Sequence, residues 1–311
     1  MLAVMLTASE AARGAVGEEE PEASEFPRPV ATVLEAQIAL GRRDFSCGSI
    51  DGVYGLQTAS AVKAFQGKVE LPVSGVLDEA TKAKLILDAE PMTQLALSAQ
   101  DLARLQPLRP TWQGKSEQTA LDYETALEMI AERTHSAPAL IRRLNPKASW
   151  DKVDPSMLFT VPSFPPKNSR PKAERLVIYL ADHVLEPLDA DDHVLAHFPV
   201  SIAARVEKRP AGEMHVVVLV SNPDYTFEPE NFPESDEAKT LGHKLILPPG
   251  PNNPVGLVWI GLDRPGYGIH GTPEPEHVGR TESHGCFRMT NWDAVALLDY
   301  VAIGMPVEVV P

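Results

Sequence analysis

Cysteine is scarce in this chain of 311 residues. Its two thiols, Cys47 and Cys286, lie far apart in sequence and give no disulfide framework, although they do not exclude an oxidising compartment. Basic charge is in deficit as well, with 28 Lys and Arg against 43 Asp and Glu and a net charge of −15. That balance argues against nucleic acid or an anionic membrane surface as a partner. No apolar run approaches the length of a transmembrane segment. The run at the start, Leu2 to Ala8, is short and has no Lys or Arg before it, so a standard secretory signal is not visible, and a signal remnant would end near Ala12 or Ala15. The acidic stretch Glu18-Glu19-Glu20-Pro21-Glu22 reads as a solvated tail, which sets residues 1–27 apart.

What is present is concentrated near the C-terminus. His270-Gly271-Thr272 is followed by Ser283-His284-Gly285-Cys286-Phe287-Arg288-Met289. Acyl chemistry needs a soft nucleophile, a base and donors for an oxyanion, and this stretch offers all three. A free thiol is only about 3% ionised at pH 7, so an imidazole that completes the ionisation gains at most roughly thirtyfold. One oxyanion donor is worth about a hundred- to a thousandfold, which gives the backbone N–H groups around Gly285 and Cys286 at least equal weight. Gly285, without a Cβ, lets backbone and substrate approach closely. Cys47, in Phe45-Ser46-Cys47-Gly48, has no histidine nearby in sequence and reads as a packing residue.

Two histidines compete for the role of base. His284 is two residues from Cys286 and can turn its ring toward the oxyanion instead of the sulfur; His270 is far enough away for a loop to fold it back over the thiol. His270 is therefore assigned as base and His284 as support. The even spacing of His270, His277 and His284 beside Glu274, Glu276 and Glu282 also raises a zinc hydrolase. Pro273 and Pro275 prevent the segment from being one helix, which makes that the minor reading, and no metal or cofactor is expected.

Residues Asn253 to Val309 resemble a YkuD-type L,D-transpeptidase catalytic domain. Asn253-Pro254-Val255-Gly256, Trp259-Ile260, the two histidine motifs and Gly304-x-Pro306-Val307 occur in the expected order. The resemblance implies attack by Cys286 on the carbonyl of the third residue of a peptidoglycan stem, release of the terminal D-amino acid and transfer to an amine. It also implies that the Gly271 carbonyl orients His270, that His284, Gly285 and Cys286 surround the oxyanion, and that carbapenems inhibit. Arg288, Ser283, Tyr267 and Trp259 are the expected substrate-binding residues, although isolated aromatics near strands are more often core, the leading reading for Trp259, and Arg288 equally suits an ion pair with Glu282 or another acid. Upstream, Lys208-Arg209-Pro210-Ala211-Gly212 departs from the family's Thr-Pro-x-Gly by placing arginine where threonine is usual. Asn222 to His243, with Pro223, Pro229 and Pro233, reads as an irregular lid.

The remaining chain divides by pattern. Residues 28–88 carry three amphipathic stretches, with Asp51-Gly52 as a turn and Thr58 as a helix cap, and they resemble a three-helix peptidoglycan-binding domain through Asp51-Gly52, Gly55 and Phe65-Gln66. Residues 89–118 read as a linker too apolar to be free, and 119–171 as a LysM-like module followed by a Pro-rich hinge. In 172–311 only Asn291 to Ile303 reads as a clear helix, with Asp293 suited to its positive end. Leu176–Leu180, His193–Ile202 and Met214–Val220 read as strands. The expected fold class is multidomain α+β, with a small helical domain, an α/β module and a mainly-β, sandwich-like catalytic domain. The expected function is cross-linking of peptidoglycan stems in the cell envelope, the location following from the substrate alone. Competing readings are a carboxypeptidase or endopeptidase on the same fold and a non-catalytic wall-binding scaffold that contacts stems and glycan.

Overall fold

The computed structural model describes residues 26–167, 169–203, 209–232, 235–280 and 285–311. The first unit is helical. Helices Val33–Gly41, Leu56–Lys68 and Glu79–Lys84 pack Ala36, Leu40, Phe45, Cys47, Val62 and Phe65 into a core closed by a short ladder between Arg28–Pro29 and Ile86–Leu87. Thr32 and Asp78 cap the first and third helices with their side-chain oxygens. Two glutamines hold the two loops in the same way. Gln37 accepts from the Gly52 N–H at 2.7 Å and donates to Asp51, Val53 and Thr58; Gln66 accepts from the Ser74 and Gly75 N–H groups at 2.9 Å and donates to Val76 and Thr81. Thr58 is thus a buried partner of Gln37, and the cap of the second helix is Gly55.

The stretch expected to be a linker instead contains the strand Met92–Leu95, which pairs antiparallel with Phe159–Pro162 across the helices Ala126–Arg133 and Pro138–Leu144. A Thr125/Glu128 capping box starts the first of these helices, and Leu97, Tyr123, Ile130, Ile141, Phe159 and Val161 form the core. Met92–Leu95 and Leu97 thus make the N-terminal part of this middle unit instead of a tether to it.

The C-terminal unit is an eight-stranded sheet in the spatial order Phe287–Arg288, Gly268–His270, Val258–Leu262, Gly212–Ser221, Pro306–Val310, Arg175–Tyr179, Val184–Leu188, Phe198–Pro199. Helix Asn291–Tyr300, capped by Thr290, packs Ala294 and Leu297 into the same core as Leu176, Val258, Ile269 and Phe287. Of the expected strand His193–Ile202 only Phe198–Pro199 is a strand; Val194, His197 and Ser201 make single bridges. Gly212 opens its strand at φ +92°, where an L side chain is strained, and the Arg209 Nε–H donates to the Ala203 carbonyl at 2.7 Å. Lys208 lies outside the described residues.

The stretch from Asn222 is not irregular. Strands Tyr225–Phe227 and Leu245–Leu247 pair antiparallel, with a turn at Pro229–Asn231 and a short helix Asp236–Thr240 between them. Pro233 lies outside the described residues.

The units are joined by backbone hydrogen bonds. The Ser46 N–H donates to the His197 carbonyl and the His197 N–H to that of Asp44, both at 2.8 Å; the Leu121 N–H donates to the Pro249 carbonyl and the Asn252 N–H to that of Leu121, both at 2.9 Å. The Pro-rich segment expected to hinge is tied at Phe164, whose ring stacks on His135 at 4.3 Å, and at Arg170, which donates to Asp44 and Asp299. Burial opposes charge on Asp44, yet hydrogen bonds from Arg170 and Lys167 prevail and hold its carboxyl below the usual range. Asp293 meets a similar environment without a cation in contact. It stands in the first turn of helix Asn291–Tyr300, as expected, accepts from Ser46 at 2.8 Å across the interface between units, and burial lifts its carboxyl to about 7.

Candidate active site

The site forms where the sheet ends. Strand Gly268–His270 runs parallel to Phe287–Arg288, with His270 opposite Arg288, and antiparallel to Val258–Leu262, with Trp259 opposite His270. Side chains opposite one another in a sheet share a face, so Trp259, His270 and Arg288 form one row across three strands. Cys286 directly precedes its strand, two residues before Arg288, and therefore joins the same face.

Two glycines make room on that face. A Cβ at Gly268 would come within 2.7 Å of the Trp259 ring, and one at Gly261 within 3.0 Å of its Nε1. The indole consequently lies across both positions and stacks beside His270, at 5.7 Å between centroids and 24° between planes. Trp259 is half-buried and walls the cleft, so the core reading does not describe it.

His270 Nδ1–H donates to the Gly271 carbonyl at 2.6 Å, which leaves Nε2 as the ring's proton acceptor. Burial pushes its pKa down to about 4, against the opposing pull of that hydrogen bond, so the ring is neutral at pH 7. The Gly271 backbone packs closely on Asn291. Asn291 Oδ1 accepts from the Leu257 N–H at 3.0 Å, and a Cβ at Gly271 or Gly256 would lie within 2.2 or 2.0 Å of that oxygen. Asn291 Nδ2 donates to the Pro251 carbonyl at 3.1 Å and to Glu132 Oε1 of the middle unit at 2.9 Å.

Cys286 Sγ–H donates to the Gly266 carbonyl at 3.4 Å. Burial raises the thiol pKa, while a backbone hydrogen bond at Gly268 and the charge of Arg288 act against that rise. Both groups are therefore neutral at rest, a thiol and an imidazole that line the same cleft. Burial lowers the pKa of Arg288 despite nearby Glu274 and Cys286.

Gly285, Cys286, Arg288, His270 and Trp259 wall one cleft of about 890 Å³. Tyr267 is not part of that wall; it packs against the main core with the Arg264 guanidinium 4.8 Å from its ring centroid. Ser283, His284 and Glu282 lie outside the described residues. His277 is exposed on the turn Pro275–His277 with Nδ1 3.3 Å from Glu274, whereas His270 is buried. The cleft also includes Trp112, Lys115, Tyr225 and Asn252, none of which the pattern of the sequence singles out. Burial lifts the Tyr225 hydroxyl to about 12.

Residues 173–309 match the family described as "L,D-transpeptidase catalytic domain" (YkuD), and residues 30–85 match "Putative peptidoglycan binding domain". The chain carries an L,D-transpeptidase catalytic domain and an N-terminal peptidoglycan-binding domain. Among curated relatives, "Putative L,D-transpeptidase YkuD" of Bacillus licheniformis is 25% identical over 60% of this chain and 93% of its own. "Putative L,D-transpeptidase YqjB" of Bacillus subtilis is 34% identical over 37% of this chain and 58% of its own. A solved L,D-transpeptidase of Xylanimonas cellulosilytica, 18% identical, covers 94% of this chain and all of that one with a TM-score of 0.37. Another from Mycobacterium smegmatis, also 18% identical, covers 51% of this chain and 65% of that one with a TM-score of 0.35. The L,D-transpeptidase domain holds every described member of the proposed catalytic set, and the middle unit falls between the two matched segments.

Proposed function

We propose that this protein cross-links peptidoglycan stems through a thioester on Cys286. The observation that carries the reading is the Cys286–His270 pair on one face of the sheet end, with His270 neutral and its Nδ1 fixed by Gly271. Sγ attacks the carbonyl carbon of the third stem residue, and its proton passes to His270 Nε2. The S–C bond forms, the peptide C–N bond breaks, and the leaving D-amino acid takes the proton from the imidazolium. The acceptor amine then attacks the thioester carbonyl, gives its proton to His270, and displaces the sulfur. The backbone N–H groups at Gly285 and Cys286, with His284 preceding them in sequence as a further donor, serve the developing oxyanion. The peptidoglycan-binding domain retains the wall near the cleft, the LysM-like middle unit supports it, and the protein works in the cell envelope.

Intact mass after exposure to a carbapenem, with Cys286→Ala in parallel, tests the nucleophile: one adduct on the unaltered protein alone supports it, and none on either rejects it. Incubation with muropeptides tests the transfer, since cross-linked dimers support it and shortened monomers alone favour a hydrolase.

A further inference from the structure

One wall of the cleft comes from outside the catalytic domain. Thr111 caps a one-turn helix, Trp112–Ser116, whose indole stacks on Phe227 at 4.3 Å and 18° and approaches Phe232 at 5.6 Å. Glu237 of the lid accepts from the Trp112 N–H at 2.8 Å and the Gln113 N–H at 2.9 Å. Leu121, fully buried, then joins Phe227, Leu245 and Leu247 in the lid's own core. These contacts fix the segment to the lid at both ends and bring Lys115 into the wall of the cleft that holds Cys286.

The chemistry around Lys115 points to a ligand. Its ammonium sits 5.4 Å from the Trp112 ring centroid, and it forms no ion pair with any described residue. Most acids nearby are engaged elsewhere: Glu237 holds the two amides, Glu117 pairs with Arg109, Glu228 pairs with Lys244 and Glu274 pairs with His277, while Glu230 lines the same cleft. Lys115 is only half-exposed, in a wall rich in aromatic carbon, where a charge-assisted bond to an anion is stronger than on an open surface. The donor in the proposed reaction ends in a carboxylate, on the D-amino acid that leaves.

We propose that Lys115 binds the terminal carboxylate of the acyl donor and that Trp112, through its stacking on Phe227, positions it. This rests on the proposed transpeptidase reaction and its stem-peptide donor. Substrate recognition would then depend on a segment outside the catalytic domain, which explains why that segment is packed onto the lid instead of hanging free.

The test is a binding measurement on full-length Cys286→Ala protein, which cannot turn the ligand over. Two synthetic stem tetrapeptides are titrated, one with a free C-terminal carboxylate and one with a C-terminal amide, into that background with and without Lys115→Ala. The expected result is about tenfold weaker binding of the acid on loss of Lys115, about 1.4 kcal/mol, with the amide changed by less than about twofold and Lys115→Arg restoring the acid's affinity. Equal weakening of both peptides, no weakening of either, or no binding of either overturns the inference. Carbapenem acylation of Lys115→Ala with Cys286 intact is read alongside. An adduct without a Lys115 effect on the acid retires this inference and leaves the proposed function standing. Failure of acylation in the unaltered protein retires the function, while the binding arm still decides the role of Lys115.

Discussion

The chain's two thiols occupy contrasting surroundings. Cys47 lies fully inside the helical core beside Phe45, Val62 and Phe65, and burial pushes its pKa up to about 12. Burial raises the pKa of Cys286 too, but there the charge of Arg288 and a backbone hydrogen bond at Gly268 act against it, and the sulfur faces a cleft shared with a neutral histidine. Burial alone makes a thiol inert in either place. What separates the two is an open cleft and, lining it, a histidine whose ring is kept neutral.

The strongest way to break this contrast is to remove each sulfur in turn. Cys286→Ala should abolish carbapenem adducts and reduce cross-linking by at least about a thousandfold. Cys47→Ala should leave both intact and cost about 1 kcal/mol of stability, read as a lower midpoint of denaturant unfolding. Iodoacetamide on the native protein should label Cys286 and spare Cys47. Labelling of Cys47 at a comparable rate would mean that the helical core opens readily.

The histidine's support is the next target. Asn291→Ala removes the acceptor for the Leu257 N–H and the donor to Glu132, so the Leu257 backbone and the Asn291 side chain against which Gly271 packs are both disturbed. Acylation should slow by about ten- to a hundredfold, whereas Glu132→Gln, which can still accept from Asn291, should slow it by less than about threefold. Similar losses in both variants would place the support elsewhere.

A pH comparison sharpens the picture further. His270 is held down at about 4, so the acid limb of kcat/KM should fall near pH 4 instead of near 6.5. Because its folded pKa lies below its unfolded one, the unfolded chain takes up a proton first, and the stability contributed by the neutral ring is lost as pH falls from about 6.5 towards 4. Asp293 has the opposite sign. Its carboxyl is lifted to about 7, so its contribution is complete below about 4 and is lost as pH rises to about 7. His135 in the same seam is driven down to about 3 by burial and contributes on the acid side, as His270 does. The clean measurement is therefore a difference: the fall in Tm between pH 5 and pH 8 should be smaller in Asp293→Asn than in the unaltered protein, by the equivalent of about 2 kcal/mol. An unchanged difference would show that Asp293 is ionised in the folded state.

The last comparison concerns the face itself. Gly268→Ala places a methyl within 2.7 Å of the Trp259 ring and should cost about 1–3 kcal/mol while tilting the indole off His270. Gly212→Ala, where a Cβ meets nothing within 4 Å but φ is +92°, should cost about 1 kcal/mol with acylation unchanged. Both are read by thermal unfolding and adduct rate.

Much of the fold is written in local pattern. The helices at Val33, Leu56 and Asn291 and the strands at Arg175 and Gly212 follow from periodicity and caps close to where they are expected. Met92–Leu95 was illegible because a four-residue strand has little pattern of its own and its partner is more than sixty residues away. The lid hairpin was missed for a related reason, since Pro223 and Pro229 read as breakers although they fall outside its short strands.

The site divides along the same line. By itself the sequence determined which residues are the candidates for chemistry, because a thiol, an imidazole and a glycine without a Cβ are properties of residue type and spacing, as at Cys286, His270 and Gly285. Only the tertiary structure decided which neighbours complete them. The packing of Trp112 on Phe227, the bond from Asn291 to Glu132 and the departure of Tyr267 from the cleft depend on contacts between segments far apart in the chain, and no local spacing encodes such contacts.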